Sequence, residues 1–177
     1  VRSSAASDVY KRQVIAVLKL IDGYTAPHHI DSDGVKERTI RIFFEKIDMR
    51  LDNKLFDSIQ EQAEDSPRRR MNYDLRTSAE DSSQRMINVL MSDTVIPIHR
   101  HTDTSETVVI CRGAIREEFY DDQGHKTAEF ILRAGGDCPA IQVPKGVFHT
   151  SVCLEDGSVI FEAKDGAYKP ISPEDVL

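Results

Sequence analysis

Between Arg85 and Ala163 the chain breaks into short apolar and β-branched runs separated by turn-forming residues. The runs are Arg85 to Met91, Thr94 to His101, Glu106 to Cys111, Ala114 to Tyr120, Lys126 to Leu132, Ala140 to Val143, His149 to Leu154 and Ser158 to Ala163. Asp121-Asp-Gln-Gly124, Ala134-Gly-Gly-Asp137, Pro144-Lys-Gly146 and Glu155-Asp-Gly157 punctuate them. Segments this short and this regularly interrupted predict an all-β antiparallel sandwich or barrel. With 177 residues, the chain has room for one ordinary domain with a real core.

Ahead of the strands, Leu51, Leu55, Ile59 and Ala63 recur every four residues with polar residues between them, which predicts an amphipathic helix ended by Ser66-Pro67. Arg68 to Leu75 then reads as extended. Alternation places Arg69, Met71, Tyr73 and Leu75 on one face and Arg68, Arg70, Asn72 and Asp74 on the other.

A net charge of -7 and a pI near 5.4 argue against nucleic acid or an anionic membrane as the main partner. No apolar run approaches the length of roughly 18 residues needed to span a bilayer. The cysteines, Cys111, Cys138 and Cys153, are odd in number and form no C-x-x-C pair, so a reducing, cytoplasmic setting is expected.

The chemistry-bearing residues are His99, His101, Glu106 and His149, in the pattern H-x-H-x4-E-x6-G followed by P-x-G-x2-H. Two residues apart on a strand, His99 and His101 project to one face. The polar loop Thr102 to Ser105 lets the chain reverse and return Glu106 to the pair, and the Pro144-x-Gly146 turn redirects His149 to the same place. Three imidazoles and one carboxylate suit one divalent transition metal, with iron, nickel, manganese, cobalt and zinc all compatible.

These two motifs resemble those of the cupin superfamily, whose fold is a double-sheet jelly roll. The resemblance implies a jelly-roll barrel with one short N-terminal helix packed outside, and a metal held by His99, His101, Glu106 and His149. The chain departs from the pattern where Asp93 and Cys138 stand in place of glycines and Cys153 in place of an asparagine. A narrower resemblance rests on Ser66 to Asn72, Ile96 to His101, Thr104 to Thr107 and Phe161 to Gly166. These stretches are similar to the WbuC-type cupin-fold metalloproteins, which are associated with bacterial O-antigen and surface-polysaccharide gene clusters. That likeness implies a small polar, sugar-like or nucleotide-sugar ligand, and the superfamily implies pairing into homodimers.

Residues 49–177 are therefore expected to form the cupin domain, with Met49 as its start. Asp8-Val-Tyr-Lys-Arg-Gln13 resembles a translated sequencing adapter, so residues 1–13 are expected to be an artefact. Residues 14–48 are expected to be an extension outside the domain, in which His28-His29 reads as loop.

Two functions remain open on these residues: a metal-dependent isomerase, epimerase or iron-dependent oxygenase, and a non-catalytic metal-dependent binding or regulatory module. An enzyme needs an acid or base beyond the metal ligands. Tyr73, Tyr120 and Glu162 are the candidates, while His125 falls in an exposed turn. Arg68, Arg70 and Asn72 are the candidate substrate contacts, because guanidinium forks pair with carboxylate or phosphate oxygens. The competing reading of those three is a solvated edge strand.

Overall fold

A computed structural model describes residues 50–177. The expected segments 1–13 and 14–48 lie outside the described residues. Helix α1 (Asn53–Asp65) begins where Asp52, in extended conformation, accepts a hydrogen bond from the Leu55 amide at 3.2 Å. It ends at Ser66, whose amide donates to Ala63 O just before Pro67. Its buried stripe is Phe56, Ile59 and Ala63, with Leu55 partly covered. Leu51, expected to open that stripe, is exposed because it precedes the cap and has no helical face. Replacing Asp52 with alanine removes the capping acceptor and should cost about 1 kcal/mol, read as a lower thermal midpoint.

Eight strands follow: β1 (Arg70–Asp74), β2 (Gln84–Leu90), β3 (Glu106–Arg112), β4 (Ala114–Tyr120), β5 (Lys126–Arg133), β6 (Ala140–Val143), β7 (Phe148–Cys153) and β8 (Ser158–Lys164). They build a five-stranded sheet ordered β1-β2-β8-β3-β6 and a three-stranded sheet ordered β5-β4-β7. Every named pairing is antiparallel.

Alternation along each strand divides the larger sheet into two faces. Outward, Ile87, Val89, Val159 and Phe161 pack with Met71 and Leu75 against α1. Inward, Leu90, Val108, Ile110 and Ile160 meet Ile115, Leu132 and Cys153 of the smaller sheet. The inner face is apolar at one end only. Further along the same strands it carries Glu106, Glu162 and Lys164, and that end holds the candidate site.

Thr94 to His101, expected as a strand, is extended but belongs to no ladder beyond bridges from His99 to His149 and to Val176. Pro97 has no amide to contribute. The neighbouring carbonyls are taken by side chains: Thr150 Oγ1 donates to Ile96 O at 2.7 Å and Arg70 Nη1 to Val95 O at 2.7 Å.

Gly113, the glycine of the first motif, turns β3 into β4 at φ +74°. A Cβ there would lie 2.5 Å from Ser158 Oγ, a buried hydroxyl that both accepts from and donates to the Ala114 backbone. Left-handed backbone and close approach both require glycine here. Among the described residues no helix is long and apolar enough to cross a membrane.

Candidate metal centre

His99 and His149 exchange backbone hydrogen bonds, His99 N to His149 O at 3.0 Å and His149 N to His99 O at 2.8 Å, which locks the loop before β3 to β7. Glu106 opens β3, and the Gly146 amide donates to His101 O at 2.8 Å, tying the Pro144-x-Gly146 turn to the same loop. The four side chains converge. One donor atom from each of His99, His101, Glu106 and His149 lies within 4.8 Å of all the others.

The tautomers of two imidazoles follow from their neighbours. The Nδ1 atoms of His99 and His149 sit 2.9 Å from Pro97 O and 3.0 Å from Val147 O, so each ring donates there and turns an unprotonated Nε2 inward. Glu106 Oε2 lies 3.1 Å from His101 Nε2 and 3.4 Å from His149 Nε2. Yet Glu106 Oε2 and His101 Nε2 are both buried with no hydrogen-bond partner. The unprotonated His149 Nε2 and the Glu106 carboxylate turn lone pairs toward one another, an arrangement that repels unless a cation lies between them. For ligand bonds of about 2.1 Å, neighbouring donors in a tetrahedral or octahedral shell stand about 3.0–3.4 Å apart, matching these spacings.

The electrostatics agree. Burial pulls His99 down to about 4, and the nearby His149 and His101 act in the same direction. Burial also pulls His149 down, but the facing Glu106 and Glu117 carboxylates outweigh it and raise its pKa. Burial would lift Glu106, yet His101, His149 and Lys164 hold it well below the ordinary carboxylate range. The cluster is thus an ionised carboxylate among imidazoles, with Lys164 Nζ 3.4 Å away.

A cavity of about 240 Å³ adjoins the cluster, lined by His99, Glu106 and His149 together with Arg70, Asn88, Ser151, Glu162 and Lys164. Its apolar walls include Leu90, Ile96, Val108, Ile171 and Val176. The C-terminal segment reaches this site through Arg100 N to Asp175 O at 3.0 Å and Leu177 N to Ile98 O at 2.9 Å.

Of the candidate substrate contacts, Arg70 lines the cavity, its Nη1 held by Val95 O and by Thr94 Oγ1 at 3.2 Å. Arg68 and Asn72 are exposed and outside its lining. Of the acid–base candidates, Tyr73 is exposed, Tyr120 donates to Glu118, and only Glu162 lines the cavity. His125 is exposed and pairs with Asp121. Cys153 sits in the apolar core, donating to Leu90 O at 3.3 Å, with burial raising its pKa.

Glu117 is a functional-site neighbour that the sequence did not single out. It is fully buried, accepts from Ser151 Oγ at 2.5 Å through Oε2, and leaves Oε1 without a partner. Burial lifts it to about 8. Asn88 and Lys164 were equally unremarkable among the other polar residues of their strands.

The family described as a domain of unknown function (DUF6016) matches residues 51–132. Solved structures with similar folds include recombinant oxalate oxidase in complex with glycolate, at 16% identity and a TM-score of 0.50, covering 60% of this chain and 56% of that one. CapF with the inhibitor 3-isopropenyl-tropolone matches at 16% identity and a TM-score of 0.52, covering 63% of this chain and 32% of that one. The fold is that of the cupins. Another similar structure is the capsular polysaccharide assembling protein CapF from Staphylococcus aureus, at 15% identity and a TM-score of 0.50, covering 60% and 29% of the two chains. The chain thus spans a little over half of that oxalate oxidase chain and about a third of the CapF chains. No curated protein matches it in sequence.

Proposed function

We propose that this chain is a metal-binding cupin in which His99, His101, Glu106 and His149 hold one divalent transition metal, and that its cavity takes a small sugar-like ligand. The carrying observation is the convergence of four donor atoms within 4.8 Å of one another, two of which, Glu106 Oε2 and His101 Nε2, are buried without a hydrogen-bond partner among the described residues. A metal bound there with open positions would polarise a ligand carbonyl or hydroxyl.

Cavity size narrows the ligand. About 240 Å³ lies below the range of about 300–1,000 Å³ typical of drug-sized sites, which favours one sugar ring or a hydroxy acid over an enclosed nucleotide sugar. The similar folds of a capsular polysaccharide assembling protein and of an oxalate oxidase in complex with glycolate support the same two classes. Arg70 suits an anionic substituent: one edge of its guanidinium is anchored to backbone and Thr94, which orients the rest toward the cavity.

Calorimetric titration of the metal-loaded protein with uronic acids and with the matching neutral sugars tests this reading. Arg70→Met should weaken the acids about 10- to 100-fold and leave the neutral sugars within about twofold. Equal binding of both series before and after the substitution would reject the Arg70 contact.

A further inference from the structure

Two carboxyl groups line the cavity, and they are not equivalent. Glu106 faces the imidazoles and Lys164, whereas Glu162 has no cation within ion-pair distance among the described residues. Glu162 stands on the inner face of β8, opposite Met86 of β2 and Val108 of β3, and shares the cavity wall with Asn88. A carboxyl placed on a cavity wall without an ion-pair partner contributes little to stability, because Asn88 and the more distant Lys164 and His149 offset only part of its desolvation cost. Its position has a use if the cavity holds a group that exchanges protons.

We infer that Glu162 is the acid–base residue of this cavity, moving a proton on the carbon of a ligand that carries a hydroxyl beside a carbonyl. The inference rests on the metal-centre reading. A hydroxy-carbonyl ligand held through its oxygens at the centre leaves its carbons in the remainder of the cavity, which Glu162 lines. The Glu162 carboxylate takes the proton from the hydroxyl-bearing carbon. The C–H electron pair becomes the C=C bond of an enediolate, and the carbonyl π pair moves to oxygen. Return of the proton to the same carbon gives exchange with solvent, and delivery to the neighbouring carbon gives the isomer. No oxidant is consumed. Burial lifts the Glu162 carboxyl above its ordinary range, the direction that suits a group able to return a proton as well as accept one.

Dihydroxyacetone, small enough for the cavity, serves as the probe. Metal-loaded full-length protein is incubated with it in D2O, carbon-bound deuterium is followed by proton NMR, and metal content and probe binding are measured in parallel. Wild type should incorporate deuterium. Glu162→Gln should keep full metal content and probe affinity while exchange falls by at least about 100-fold. Glu162→Asp should recover part of the rate, which separates proton transfer from a packing role. Unfolding curves confirm that each variant is folded, and if Glu162→Gln is not, the Glu162→Asp rate relative to wild type decides.

Exchange by Glu162→Gln at the wild-type rate overturns the assignment. So does wild type that holds metal but never exchanges the probe, and so does loss of metal from a folded Glu162→Gln protein. Wild type that binds no metal overturns the metal-centre reading itself.

Discussion

Replacing His149 with alanine should abolish metal retention, taking protein purified without an affinity tag from about one ion per chain to a trace by elemental analysis. Removing even an outer partner of a metal ligand typically weakens affinity 10- to 100-fold, so loss of a ligand should exceed about 100-fold. His101→Ala should behave alike, because its Nε2 and Glu106 Oε2 are buried at the centre without hydrogen-bond partners. His125→Ala, on an exposed turn, should keep its metal and serve as the control. Bound metal also supports the fold: at 100 times the dissociation constant it adds about 2.7 kcal/mol, which the two variants should lose. Protons compete for the same lone pairs. They do so most effectively at His149, whose pKa is raised, so affinity should weaken as pH falls below neutral. Stoichiometric metal in both His101→Ala and His149→Ala would reject the centre.

Glu117→Gln should stabilise the protein by about 4 kcal/mol more at pH 8 than at pH 4. The sign follows from proton counting. The Glu117 carboxyl has a pKa of about 8 when folded against 4.5 ordinarily, burial being the first cause. Between those values the folded protein keeps a proton that the unfolded chain releases, so stability declines as pH rises through that window. Glutamine is neutral in both states and removes the dependence. The Ser151 hydroxyl can still donate to its amide oxygen. The amide leaves two donors unpaired where the protonated carboxyl leaves one, a cost equal at both pH values that drops out of their difference. Glu162 is also raised, to about 7, and contributes the same slope to wild type and variant alike. Urea unfolding at the two pH values measures the difference, and an identical gain at both would exclude the buried-proton account.

Much of this architecture was legible in residue order because each local signal had a single geometric meaning. Ser66-Pro67 could only end a helix, and Gly113 could only be a turn where no Cβ fits. Period-two spacing forces His99 and His101 to one side. Where two signals competed, the sequence misled. Thr94 to His101 has the composition of a strand, but Pro97 and the side chains of Arg70 and Thr150 occupy the edge that a ladder would need. Leu51 matches the helical stripe by spacing, yet the Asp52 cap starts the helix after it.

Residue order by itself settled the all-β class, the outer helix and the four residues that come together, since turns and alternation act over a few neighbouring positions. Only the tertiary structure decided which of the many other charges belong to the cavity. Nothing in Arg116-Glu117-Glu118 distinguishes its two carboxylates, but the pairing of β4 with β7 sets Glu117 against Ser151, while Glu118 takes Arg116, Tyr120 and Lys126. Asn88, Glu162 and Lys164 were likewise separated from their neighbours by strand register between β2, β8 and β3. Register is set by contacts between stretches distant along the chain, and a shift of one residue would send each of these side chains to the opposite face.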